Sequence, residues 1–95
     1  VANYTVALAT HRTLGAAVVD VVTISPHQYS NVEVLNRDAA AYLFFRTDGT
    51  APTVAGDDCY VVGPGAALRV PHPNGQPVKL ISASAIAYSV TATDS

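Results

Sequence analysis

Ala40-Ala-Tyr-Leu-Phe-Phe-Arg46, followed by Thr47-Asp-Gly-Thr-Ala-Pro52 and, after a second loop, Cys59-Tyr-Val-Val62, decides the fold. Both phenylalanines of the protein lie side by side in its first segment. In a strand, successive side chains point to opposite faces. Ala41, Leu43 and Phe45 therefore share one face, and Tyr42, Phe44 and Arg46 share the other. A strand apolar on both faces is central in its sheet, or its second face meets a partner. Asp48-Gly49 is a turn signal, and Pro52 keeps the residues after it out of a helix. The stretch predicts two paired strands joined through a Thr/Asp/Gly loop.

The same period-two pattern extends in both directions. Towards the N-terminus, Asn31–Leu35 alternates with Val32 and Val34 inward, and Asn36-Arg37-Asp38 makes a polar corner. Leu14–Ile24 is dense in valine, threonine and isoleucine, which favour strand over helix. It is read as one strand carrying a single charge, Asp20, and closed by Ser25-Pro26. Residues 4–10 alternate Tyr4, Val6 and Leu8 against Thr5, Ala7 and Ala9. They read as a first strand, or as an arm that becomes a strand on a neighbour, with His11-Arg12-Thr13 as a polar connection. Towards the C-terminus, Cys59–Val62 is a strand stopped by Gly63-Pro64-Gly65. Ala66–Val70 is a short strand with Leu68 and Val70 on one side. Asn74-Gly75, flanked by prolines, is the strongest hairpin signal. Val78–Ser82 carries Lys79 outward. In Ala85–Thr93, Ile86, Tyr88 and Val90 point inward and Ala87, Ser89 and Thr91 outward.

About eight short strands, turn signals every 8–12 residues and no helical period predict an all-β protein. Residues 1–95 form one antiparallel β-sandwich domain, Ig-like or jelly-roll-like, with a barrel as the second choice. Residues 1–12 are set apart as an N-terminal arm or exchanged strand. Charged residues make up 13% of the chain, about half the usual share. A surface so poor in charge is expected either of a compact β-protein with a Thr/Ser/Ala surface or of one largely covered in an assembly. The net charge of −2 and the scattered arginines give no footprint for nucleic acid. The longest apolar run, Leu14–Val19, is too short to cross a membrane. The single cysteine, Cys59, excludes an internal disulfide. No signal peptide is read, and Val1 is expected to follow a removed initiator methionine or, as the alternative, a proteolytic cleavage.

Reaction chemistry is not legible. Cys59 lies in an apolar strand and reads as a small buried hydrophobe. His11, His27 and His72 fall in polar loops without motif spacing. Asp48, Asp57 and Asp58 lack the spacing of a calcium loop, so they read as loop-terminating acids. Asn3-Tyr4-Thr5 matches a glycosylation acceptor and reads as a chance match. Four tyrosines fall within strand patterns, and Tyr29 is the one expected at an exposed junction. No catalytic, cofactor or metal residue is assigned, no small-molecule substrate is expected, and the chain is not read as an enzyme.

Arg46-Thr-Asp-Gly-Thr-Ala-Pro-Thr-Val-Ala-Gly-Asp-Asp-Cys-Tyr-Val-Val62 and Lys79-Leu-Ile-Ser-Ala-Ser-Ala-Ile-Ala-Tyr-Ser-Val90 carry a resemblance. They resemble small β-sandwich virion structural proteins of tailed phages that infect actinobacteria. It covers residues 31–93 and is a fold signature without catalytic residues. It implies a protein of the virion, assembled in the host cytoplasm, most readily a capsid decoration or cement protein. The expected partners are the major capsid protein and further copies of the chain, in a trimer for example. A head–tail or tail accessory protein, and an Ig-like module that binds carbohydrate or a cell surface, are the alternatives. Candidate interaction residues are Tyr4, Arg12, Tyr42, Phe44, Arg46, Asp48, Pro73 and Asn74.

Overall fold

The computed structural model describes residues 2–25, 30–71 and 76–93. Among these there are nine strands and no helix. They are β1 (Ala2–Val6), β2 (Ala9–Leu14), β3 (Asp20–Ile24), β4 (Asn31–Asn36) and β5 (Leu43–Arg46). β6 (Tyr60–Val62), β7 (Ala67–Pro71), β8 (Val78–Ile81) and β9 (Ile86–Thr93) complete the set. One sheet has five strands in the order β1-β3-β8-β5-β6; the other has four, β2-β9-β4-β7.

The strand order has a simple origin. β5 pairs with β6, β4 with β7, β3 with β8 and β2 with β9, all antiparallel. The chain is thus one long antiparallel ribbon that doubles back at the loop between β5 and β6. Rolling that ribbon brings β8 beside β5 and β9 beside β4. Successive turns of the roll fall alternately in the two sheets, giving a jelly-roll sandwich. β1 stands outside this scheme. It has no ribbon partner and adds to the edge of β3 in parallel.

The roll closes over an apolar core. Val32 and Val34 of β4, Leu43 and Phe45 of β5, Val78 and Leu80 of β8, and Ile86, Tyr88, Val90 and Ala92 of β9 are buried. Alternation along these strands puts every second side chain inward. Each buried Val, Leu, Ile or Phe contributes about 1.5–3 kcal/mol. Two polar clasps join the sheets inside this core. The Tyr88 hydroxyl donates to Asp20 Oδ2 at 2.9 Å, linking β9 to β3. Asn36, at the end of β4 and fully buried, donates from Nδ2 to the carbonyls of Ala41 at 2.8 Å and Val62 at 3.1 Å. Its Oδ1 accepts from the Asp38 N–H at 2.9 Å. The polar corner expected at 36–38 is therefore also a bolt between sheets.

Several expectations are corrected. The strand read at 4–10 is broken by a bend at Ala7–Leu8, and His11-Arg12-Thr13 is not a connection but the middle of β2. Leu14–Ile24 is two strands. Leu14 ends β2, and the chain turns through Gly15–Val19 with Ala17 at φ 55°. That turn was illegible because an alanine holds its left-handed position; the Ala17 N–H is fixed there by the Ser82 carbonyl at 2.7 Å. Cys59 precedes β6 instead of lying inside it. It is partly exposed, and its thiol donates to the Thr53 carbonyl at 3.7 Å. Ser89 points to the outer face as expected but is buried there, because β2 and β4 flank it and His11 lies over it. Tyr42 precedes β5. Pro73, Asn74, Gly75, His27, His72 and Tyr29 lie outside the described residues.

Candidate functional site on the outer face of the five-stranded sheet

The two outer faces of the sandwich differ in chemistry, and the register says why. On the five-stranded sheet, Phe44 is opposite Val61 on one side and Ile81 on the other. The three side chains form an apolar row across β6, β5 and β8. Ile81 is buried yet stands apart from the core cluster, as expected of a residue covered by its neighbours on the outer face. Tyr42, 56% exposed, and Val61, 51% exposed, bring this row to solvent. The next row is Val21, Lys79 and Arg46. It sets two cations beside the apolar row.

The loop after β5 neutralises one of those cations. Arg46 Nε donates to Asp48 Oδ1 at 3.1 Å, with a second bond between its terminal nitrogen and Oδ2. The Thr50 N–H also donates to Asp48 Oδ1 at 3.0 Å. The Arg46 bonds, helped by that amide, pull the Asp48 carboxyl down to about 2. Asp58 lies 3.9 Å from the same guanidinium. Arg46, Thr47, Asp48, Asp58 and Tyr60 line an open depression at this end of the face. Gly49 allows the loop its turn at φ 83°, a conformation L side chains rarely adopt. Tyr60 packs its ring against Phe45 with centroids 5.1 Å apart, so the depression is floored from the core.

The outer face of the four-stranded sheet is mostly polar or small instead, with Leu35 its one large apolar side chain in these two rows. Ala9, Thr91, Glu33 and Arg69 lie across it in one row, and His11, Ser89, Leu35 and Ala67 in the next. Glu33 and Arg69 form an ion pair at 3.3 Å. His11 Nδ1 and the Ser89 hydroxyl are 2.6 Å apart. A serine–histidine pair invites a nucleophile reading. Here, however, Ser89 lies in β9, between β2 and β4. Its strand is paired on both sides, with Ser89 opposite His11 and Leu35, so the backbone there is engaged in the two ladders. Among the described residues no group of three or more His, Cys, Asp or Glu side chains is placed to hold a metal ion.

The sequence-derived candidates separate into two places. Tyr42, Phe44, Arg46 and Asp48 come together on and beside the apolar face. Tyr4 and Arg12 lie at the far edge, where β1 and β2 meet. The Arg12 guanidinium sits 4.0 Å over the Tyr4 ring, and its Nε donates to Thr10 Oγ1 at 2.9 Å. The arm expected to seek a neighbour's sheet lies on its own β3. Val61 and Ile81 were missed as face residues. Their signal was the strand register, which places them against Phe44.

No protein-family model and no curated protein matches the chain. Among solved structures, it is similar to a de novo designed double-stranded β-helix determined by solution NMR. The TM-score is 0.53 and the identity 17%, over 87% of this chain and 95% of that one. The likeness is one of fold: an all-β roll of two facing sheets.

Proposed function

We propose that this chain is a virion structural protein, a capsid decoration protein that docks on an assembled shell through the outer face of its five-stranded sheet. The carrying observation is the asymmetry between the two faces. One carries the apolar row Val61–Phe44–Ile81, with Val61 and the neighbouring Tyr42 exposed, and the other carries the Glu33–Arg69 pair and mostly small or polar side chains around Leu35. An apolar patch rimmed by polar groups marks a protein contact more often than a free surface. The resemblance of residues 31–93 to phage virion proteins supports the same reading, as does a jelly-roll fold of a kind used in viral capsids.

The mechanism is energetic. Each copy buries a standard interface of about 1,200–2,000 Å². Aromatic side chains at its centre supply most of the affinity. Repetition over a shell then turns modest single contacts into stable attachment. A position at the head–tail junction would use the same chemistry, and imaging of particles would separate the two.

Val61→Glu tests the reading. It places a charge on an exposed edge strand, where the fold tolerates it, and into the middle of the proposed contact, where it is costly. Co-sedimentation with shells of the major capsid protein should fall by roughly tenfold or more. Arg69→Glu on the opposite face should bind as the unaltered chain does. Equal binding by all three would remove the proposal.

A further inference from the structure

Among the described residues, β1 is attached in a way that no other strand shares. Its register is parallel, and it pairs only with β3. None of its residues is fully buried. Beyond the ladder it is held by the Ser25 N–H donating to the Val6 carbonyl at 2.8 Å and by the Tyr4–Arg12 stack.

The link to β2 is two residues, Ala7 and Leu8, and neither is a turn former. No glycine or proline occurs between residues 2 and 14. The bend leaves Leu8 51% exposed. Yet the alternation runs through it unbroken. Tyr4 and Val6 point inward from β1, and Thr10 and Leu14 point inward from β2, opposite Val90 and Ile86; Arg12, exposed at the edge, shares their face opposite Tyr88. All are even-numbered, and Leu8 continues the series. Straightening the bend therefore flips no side chain. Residues 2–14 would form one strand about 40 Å long, longer than the molecule's greatest extent of 32 Å. Its first half would project beyond the body.

We propose that β1 exchanges between copies: residues 2–14 straighten, and β1 of one chain occupies the β3 edge of a second. This deepens the assembly reading by naming a second copy as one partner. Every β1–β3 contact is kept, because donor and acceptor sequences are identical, and only the bend is lost. Exchange of an identical element is a low-cost route to association. Since each chain gives an arm and accepts one, closed rings follow.

Asn3 and Val21 are register partners on the outer face, so cysteines there fall within disulfide reach. In a Cys59→Ser background, chains carrying N3C alone and V21C alone are refolded together at high concentration and oxidised. A covalent heterodimer at roughly tenfold the yield of a mismatched N3C and T23C mixture is expected. Replacing the bend with a turn sequence, Ala7→Asn with Leu8→Gly, should suppress it by favouring the closed chain. The proposal is overturned if the matched mixture gives no more heterodimer than the mismatched one, while the N3C/V21C double variant closes within single chains. No shell is present, so this result is independent of docking. Val61→Glu, at the opposite edge of the sheet, should leave the heterodimer yield unchanged.

Discussion

Tyr88→Phe is the most informative single-atom perturbation of this fold. It removes the hydroxyl that bridges the sheets and leaves the fully buried ring in place, so no cavity is created. Its partner, Asp20, is 3% exposed. Burial pushes the Asp20 carboxyl above the ordinary aspartate range, although the Tyr88 hydrogen bond and the Arg12 charge oppose the shift. Burial, and then Asp20 itself, push the Tyr88 hydroxyl further up, so it remains a donor throughout. Because the folded pKa of Asp20 exceeds its unfolded value of about 3.9, stability is greatest below that unfolded value. It declines as the pH rises through the folded pKa and is then level. Tyr88→Phe removes the bond that favours the charged form, which raises the folded pKa further. Below the unfolded pKa the variant loses a neutral hydrogen bond, about 1 kcal/mol. At neutral pH it leaves a buried carboxylate without its donor, about 2–3 kcal/mol. For a domain of this size 2 kcal/mol is about 8–16 °C in Tm. Urea unfolding of both proteins from acid to neutral pH should show the gap widening with pH. Asp20→Asn, which keeps an acceptor and removes the charge, should flatten the profile. A gap that stays constant with pH, or a loss below about 0.5 kcal/mol at neutral pH, would refute the clasp.

Asn36→Ala leaves two carbonyls and one N–H without their partner inside the fold; a loss of about 2–4 kcal/mol is expected in urea unfolding, several times that of Asn31→Ala. Gly49→Ala places a methyl group against Gln76 at a positive φ, and should cost about 1 kcal/mol, read as a lower thermal midpoint. Arg46→Ala should return the Asp48 carboxyl from about 2 towards the ordinary aspartate range; an NMR titration measures this directly. In the unaltered chain the pair persists in acid until Asp48 protonates, so the loop chemical shifts should hold steady from neutral pH down to that value.

The local pattern exposed much of this architecture. β4, β5, β7, β8 and β9 lie close to where alternation placed them, because each has one face on the core and turn residues at its ends. The hairpin of β5 and β6 was readable from Asp48-Gly49 and Pro52. The N-terminal third was harder, for physical reasons. The bend at Ala7–Leu8 interrupts neither the alternation nor the composition, since the rolled sandwich imposes it. The turn at Gly15–Val19 hides in a valine- and alanine-rich run. Asp20 read as a lone charge on a strand because its partner lies 68 residues away. Of the candidate site, Tyr42, Phe44 and Arg46 could be found from a strand apolar on both faces. Val61 and Ile81 join them only through pairing register, which a single sequence does not state.

Hydroxyl-radical footprinting of the protein, free and bound to shells of the major capsid protein, tests the docking face most directly. Protection should fall on Tyr42, Phe44 and Val61, with His11 and Leu35 on the opposite face labelled equally in both states. Protection centred on His11 and Leu35, with Tyr42 and Val61 still open to the radical, would contradict the assignment.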